Sequence, residues 1–219
     1  METLVHESIM LTIPFLRNED DGVSETVLPL IAAFLYKLRH QTGPEQSFPF
    51  LQQLLEAVAL KMQFVEHFNF DVEGDDEMLF QKFRDELEKL FRGVVRHAPQ
   101  LAFQFLKGPL TLMLSQDCTL IPMAKLESFL RLFYVMGEGL RVSDSSEYTE
   151  YFQGMMGLLM NSSMLIPSSH VTPSHSFTQI SQATLMRQLL LSPLRFWFAM
   201  PPLFLVNKML LSRTFSWLS

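Results

Sequence analysis

The sequence predicts an all-α protein, and three observations lead to this prediction. Apolar residues recur every three or four positions through most of the first 164 residues, which is the spacing of one helix face. Only 9 of the 219 residues are glycine, which suits helices better than a turn-rich sheet protein. Short segments rich in Gly, Pro, Asp and Asn separate the periodic stretches, and no convincing strand lies between them.

Three helices are predicted at the start of the chain, over residues 4–16, 24–39 and 47–67. In the first helix, Pro14 is expected to kink or end the helix because it lacks a backbone N–H. Ser24 is the predicted N-cap of the second helix, since its hydroxyl oxygen can accept a hydrogen bond from the first turn. The predicted apolar stripe of the third helix consists of Leu51, Leu54, Leu55, Val58, Met62 and Val65.

Residues 78–97 form the clearest amphipathic stretch, preceded by an acidic turn at residues 71–77. The acidic turn would place negative charge at the positive end of the helix dipole. We expect the polar residues to face solvent, with Asp85–Lys89 and Glu88–Arg92 as ion pairs one turn apart. The predicted solvent face consists of Gln81, Arg84, Asp85, Glu88 and Arg92, and the inward face of Phe80, Phe83, Leu87, Leu90 or Phe91, and Val94.

Three further helices complete the predicted array. One begins at Pro99, which favours the first helical position, and is expected to kink or divide at Gly108-Pro109. The others cover residues 122–139 and 147–161. Helices joined by short loops are antiparallel neighbours, and these pairs recur every ~40–50 residues, as in HEAT-like helical-hairpin repeats. The prediction is an α-solenoid segment over residues 1–164, and a compact helical bundle is the alternative.

Residues 165–219 are predicted to form a second, atypical region. They contain no Asp or Glu and four bases, whereas residues 1–164 hold 13 bases against 23 acids, a net charge of −10. Prolines interrupt the apolar part, so we expect an irregular tail of loop and short apolar helices. We interpret it as a C-terminus produced by a wrong exon junction or frame change. A membrane or interfacial segment is the alternative, although the uncharged run from Phe196 to Asn207 is shorter than a membrane helix needs.

The residues give no sign of catalysis or of a bound cofactor or metal. Cys118 is the only cysteine, which excludes a disulfide framework and a cysteine-rich zinc site. The acidic run Asp71–Glu77 has its glycine at the fourth position, not the sixth that a calcium loop requires. His170 and His175 have no carboxylate or cysteine nearby. No secretory signal opens the chain, so we expect an intracellular protein without catalytic, cofactor or metal sites.

Four basic residues, Arg84, Arg92, Arg96 and Lys107, are candidates for a phosphate-facing surface. Acidic residues lie between them in the sequence and would weaken a positive field. The favoured interpretation is therefore a solvated helix face held by ion pairs.

The order of several segments resembles one known family. These are SIMLTIPFLRNEDDGVSETVLPLIAAFLYKLRH, FNFDVEGDDEMLFQKFRDELEKLFRGVVRHAPQLAF, AKLESFLRLFYVMGEGL and YFQGMMGLLMNSSM. Together they resemble the middle of the exportin-T family, the tRNA exportins of the importin-β (karyopherin) superfamily. The acidic turn and the helical hairpin after it are the most distinctive part. The resemblance covers residues 1–164, with a trace near residues 170–172.

This resemblance implies a fold and a function. It implies a segment of a long HEAT-repeat superhelix that carries tRNA out of the nucleus with Ran-GTP and passes nuclear pore proteins. It also implies a nuclear and cytoplasmic location and no enzymatic activity, and it assigns no individual residue to contact with tRNA or Ran. The alternative is a helical-repeat adaptor that binds protein partners only, which the acidic charge of residues 1–164 permits.

Overall fold

The computed structural model describes residues 8–38, 47–65, 74–115, 122–140 and 146–161. Within these ranges the chain forms helices and no strand, which confirms the all-α prediction. The helices are α1 (Thr12–Leu16), α2 (Asp21–Leu38), α3 (Phe48–Lys61), α4 (Asp75–His97), α5 (Pro99–Ser115), α6 (Met123–Gly139) and α7 (Ser146–Asn161).

Helices α2 and α3 pack antiparallel, as expected for a helical hairpin. Lys61 at the end of α3 pairs with Asp21 at the start of α2. At the opposite ends, the rings of Phe34 and Phe50 meet edge to face with centroids 5.2 Å apart. The start of each helix therefore lies beside the end of the other.

Alternate helices stack in parallel, which is the arrangement of a solenoid. Arg84 of α4 bonds Glu127 of α6, 43 residues later, and Arg92 bonds Glu138, 46 residues later. In the next layer, the Tyr151 hydroxyl of α7 donates to the carbonyl of Lys107 in α5, a separation of 44 residues. Corresponding helices are thus one repeat of about 45 residues apart, as the sequence predicts.

The core runs without interruption through the stack. Along α3, the residues facing its neighbours are fully buried, and most of its predicted stripe is among them. Aromatic side chains join the last two repeats: the ring of Phe103 lies edge-on to Tyr148 and Tyr151, and Phe133 stacks on Phe152. Burial of large rings of this kind contributes strongly to packing between repeats.

The start of α2 differs from the prediction. The helix begins at Asp21, and the Asp20 side chain accepts a hydrogen bond from the Gly22 backbone N–H at 2.8 Å. The Asn18 side chain accepts one from the Asp20 backbone N–H at 2.9 Å. Asp20 therefore takes the capping role predicted for Ser24, because an acidic side chain also neutralises the positive helix end. Ser24 is buried inside the helix and donates to the carbonyl of Asp20.

Two helix boundaries also differ. Residues 8–10 are helical, but a turn at Leu11 separates them from α1. Pro14 explains this break, because it cannot donate to the carbonyl of Met10 and its ring crowds that turn. Helix α3 ends at Lys61, so Val65 lies beyond it and is 72% exposed instead of buried.

Helix α5 is continuous from Pro99 to Ser115, so the predicted division at Gly108-Pro109 is wrong. The missing N–H of Pro109 removes one backbone hydrogen bond, but apolar residues on both sides of it are buried. Leu106 and Leu110 are both fully buried, and this packing holds the two halves together.

Several predictions fall on residues outside the described ranges. They concern the start of the acidic run that was compared with a calcium-binding loop (residues 71–73), Cys118, the histidines at 170 and 175, and the whole of residues 165–219. Among the helices of the described ranges, none is both long and apolar enough to cross a membrane.

Candidate functional site

The polar face predicted for α4 is not a solvent face. Arg84 is completely buried and Glu88 is 8% exposed, because this side of α4 packs against α6. The solvated, ion-paired interpretation is therefore wrong for these two residues. The sequence pattern of α4 alone predicted that its polar side faces solvent. A helix inside a stack has neighbours on several sides, so its polar side can also be buried.

The pair between Arg84 and Glu127 is the buried centre of this interface. Arg84 Nη2 donates to both Glu127 carboxylate oxygens at 2.5 Å, and both side chains are essentially inaccessible to solvent. Phe80 covers the guanidinium, with its ring centroid 5.6 Å from Arg84 Cζ. Desolvation lowers the pKa of Arg84, and the neighbouring Glu127 carboxylate opposes that shift. Arg84 Nε and Nη1 have no partner among the described atoms.

A second group of ion pairs continues along the same interface toward solvent. Arg131 of α6 reaches back to α4, where its guanidinium pairs with Glu88 and, at 3.2 Å, with Asp85. Arg92 pairs with Glu88 and with Glu138, each at 3.0 Å. We call this set, with Arg84–Glu127, the α4–α6 ion-pair ladder. It links the two helices at three levels along their length.

The ladder corrects the predicted pairs within α4. Glu88–Arg92 is present, whereas Lys89 pairs with Glu86, one turn away, and Asp85 turns to α6. The sequence did hold a signal for the ladder. The charges of Arg84 and Glu88 are opposite in sign to those of Glu127 and Arg131, which lie 43 residues later.

The four candidate basic residues do not form one phosphate-facing surface. Arg84 is buried and Arg92 is shared between two carboxylates. The Lys107 ammonium lies 5.2 Å from the ring centroid of Phe103 and 5.9 Å from that of Tyr151, which is a cation–π arrangement. Arg96 is exposed on α4 and lines a different feature.

That feature is a groove between α2 and α4, which we call the α2–α4 groove. It has a volume of about 730 Å³. Its basic side chains, Lys82, Lys89 and Arg96, all come from α4, and its acidic ones are Glu25 and Glu86. The remaining lining is mainly apolar: Leu28, Pro29, Ala32, Leu35, Tyr36, Leu79, Leu90 and Gly93.

One close approach fixes the floor of the groove. A Cβ atom added at Gly93 would lie 3.1 Å from Leu35 Cδ1, so α2 and α4 nearly touch at this point. The sequence gives no sign of the groove, because it depends on how two distant helices meet. Among the residues that the structure describes, no group of three or more His, Cys, Asp or Glu side chains could hold a metal ion.

Comparison with known proteins shows which family this sequence is similar to. A family model described as Exportin-T matches residues 1–180. Exportin-T from Danio rerio is 25% identical over 169 residues, which is 73% of this chain and 18% of the relative. Exportin-T from Homo sapiens is 25% identical over 146 residues, 66% of the chain and 15% of the relative. Exportin-T from Dictyostelium discoideum is 26% identical over 106 residues. The chain thus spans less than a fifth of the length of these relatives.

Proposed function

The chain belongs to the exportin-T family, and from that premise we propose that it is a segment of a nuclear export receptor that carries tRNA with Ran-GTP. The observation that carries the proposal is the family match over residues 1–180. The parallel stacking of helices one repeat apart supports it, because a receptor that wraps its cargo needs an extended, repeated scaffold.

In this proposal the chain is a transport receptor and not an enzyme, and it has no cofactor. It moves between nucleus and cytoplasm and meets nuclear pore proteins on the way. Residues 1–164 form its repeat segment, and residues 165–219 form a tail outside the array. A fluorescent fusion of the chain, followed by microscopy, tests the location.

Filter binding of labelled tRNA to the 219-residue chain, with and without Ran-GTP, tests the main proposal. We expect tRNA retention that rises when Ran-GTP is added and falls as salt concentration increases, because phosphate contacts release counterions. Ran-GDP is the matched control. Equal tRNA retention with Ran-GDP and Ran-GTP would contradict the proposal.

A second candidate function is an adaptor that binds protein partners only. The net charge of −10 over residues 1–164 favours it, since an acidic surface repels phosphate. Dispersal of Arg84, Arg92, Arg96 and Lys107 over separate features points the same way. Absence of tRNA binding in the filter assay, together with Ran-independent capture of proteins, would support this candidate instead.

A further inference from the structure

We propose that the α2–α4 groove binds a short amphipathic helix of a protein partner, with an apolar stripe and acidic residues near both ends. The proposal is independent of tRNA and Ran, because it rests on the shape and charge of the groove alone. The peptide would use the helix-in-groove mode, in which apolar residues one turn apart fill a furrow between two helices.

The groove offers apolar surface that is open to solvent. Leu79 of α4 is 57% exposed, and Pro29 and Ala32 of α2 are also exposed. They lie beside the buried side chains of Leu28 and Leu90, which form the deeper part of the lining. Covering this surface would remove apolar area from water, which favours binding.

The charges on the α4 side select an acidic partner. Lys82, Lys89 and Arg96 are spaced by seven residues, so they lie along one side of the helix. Lys89 pairs with Glu86, whereas Lys82 and Arg96 have no ion pair within the described part of the chain. These two cations are fourteen residues apart, about 21 Å along the helix axis. A peptide helix of about four turns therefore reaches both of them with terminal carboxylates.

The same lining argues against a nucleic acid. Glu25 and Glu86 line the groove beside the three cations and would repel a phosphate backbone. A groove that follows single-stranded RNA combines a continuous basic path with aromatic rings for base stacking. Here the lining holds one aromatic residue, Tyr36, and is mainly aliphatic.

Fluorescence anisotropy on the full 219-residue chain tests the proposal with designed peptides. The probe is a fluorescein-labelled 16-residue helix with leucines at positions i, i+3, i+4 and i+7 and two glutamates near each end. One control peptide has lysines in place of the glutamates, and another has serines in place of the leucines. We expect saturable binding of the probe and at least about tenfold weaker binding of both controls.

Matched protein variants place the peptide in the groove. Ala32→Glu puts a carboxylate into the apolar lining, whereas Ala33→Glu puts one on an exposed neighbouring position of α2 outside the lining. We expect about tenfold weaker binding for Ala32→Glu and little change for Ala33→Glu. Combined Lys82→Glu and Arg96→Glu should weaken binding of the acidic probe and strengthen binding of the lysine-ended peptide. Lys125→Glu, on α6, is the charge control. Circular dichroism confirms that each variant is folded.

Three results would overturn the proposal. One is no saturable binding of the acidic probe up to millimolar concentration. Another is an equal loss of probe binding in Ala32→Glu and Ala33→Glu, which would place the peptide outside the groove. The third is displacement of the probe by unlabelled tRNA together with loss of tRNA binding in the Lys82→Glu, Arg96→Glu variant. That result would make the groove a nucleic-acid surface.

Discussion

Arg84 shows how strongly one residue of this protein depends on its partner. Its guanidinium is withdrawn from water between two helices, where Glu127 supplies the opposite charge. Taking such an ion out of water costs several kcal/mol, and the paired carboxylate offsets most of that cost. We therefore expect the pair to contribute more to the alignment of α4 and α6 than to net stability.

Substitutions should distinguish the loss of one partner of this pair from the replacement of both. We expect Glu127→Leu to lower the free energy of unfolding by about 3–5 kcal/mol, because it leaves a buried guanidinium unpaired. The double variant Arg84→Met, Glu127→Leu should lie within about 1 kcal/mol of the unmodified chain, since neither charge of this pair remains buried. Urea unfolding followed by circular dichroism measures both.

The exposed residue Lys89 provides the control for this series. Lys89→Gln removes an ion pair on the surface, where such pairs contribute less than about 1 kcal/mol. If the double variant is as unstable as Glu127→Leu, then packing and not charge determines the loss, and our account of Arg84 is wrong.

His97 at the end of α4 should make stability depend on pH. Its Nε2 atom is buried without a partner among the described atoms, and desolvation lowers the pKa of the side chain below its ordinary value of 6.5. The unfolded chain therefore binds a proton at higher pH than the folded chain. The stability contributed by His97 is complete above pH 6.5 and is lost as the pH falls below that value.

Urea titrations of the unmodified chain and of His97→Gln at pH 7.5 and pH 5.5 measure this effect. We expect the unmodified chain to lose more stability between the two pH values than the variant does. Other groups titrate equally in both proteins, so the difference isolates His97. An identical loss in the two proteins would show that the histidine does not contribute.

At the scale of one helix, α5 shows how a proline is accommodated. Gly108 directly precedes Pro109, and a Cβ atom on the residue before a proline adds to the steric cost of helical geometry. A glycine at this position lowers that steric cost. The space around Gly108 is otherwise open, with no atom within 4 Å of an added Cβ.

Alanine at two helical glycines should therefore have different effects. Gly154 in α7 is exposed and also has no atom within 4 Å of an added Cβ, so Gly154→Ala should stabilise the chain by about 0.5–1 kcal/mol. Gly108→Ala should give no such gain, because the new Cβ meets the ring of Pro109. Thermal unfolding of both variants compares them, and equal stabilisation would contradict this explanation.

The helices themselves could be predicted from sequence, because each has a regular apolar stripe and a loop signal at its ends. The burial of the charged face of α4 could not be predicted. Residues such as Arg84 and Glu88 form the same sequence pattern whether they face water or the complementary charges of α6. Nor could the α2–α4 groove be predicted, because it depends on the approach of Leu35 and Gly93, 58 positions apart. Helix ends lay between these cases, as Asp20 and Ser24 are both good N-cap residues.

At the scale of the whole molecule, the repeats contact mainly their neighbours, so a segment outside the array should be removable. Residues 165–219 lack the Asp and Glu that give α4 its mixed charge. We expect a chain truncated after Asn161 to keep the unfolding temperature of the full chain and to give a higher soluble yield, since the truncation removes the apolar run from Phe196 to Val206 and apolar patches promote aggregation.

A second truncation, after residue 180, serves as the control because the family match extends that far. Scanning calorimetry of the three chains measures the unfolding temperature. A clearly lower temperature for both truncated chains would show that the tail belongs to the core. A lower temperature for the shorter one alone would show that the array extends beyond Asn161.

The ion-pair ladder also has a mechanical consequence. Four ion pairs, at three levels, hold α6 to α4, whereas the lining between α2 and α4 is mainly apolar and therefore non-directional. Two successive joints of the stack thus differ in stiffness, and we expect curvature to change first at the α2–α4 joint. Spin labels spanning that joint should give a broader distance distribution than labels spanning α4 and α6. In this segment we therefore expect bending to be concentrated at the α2–α4 interface, while α4 and α6 move together.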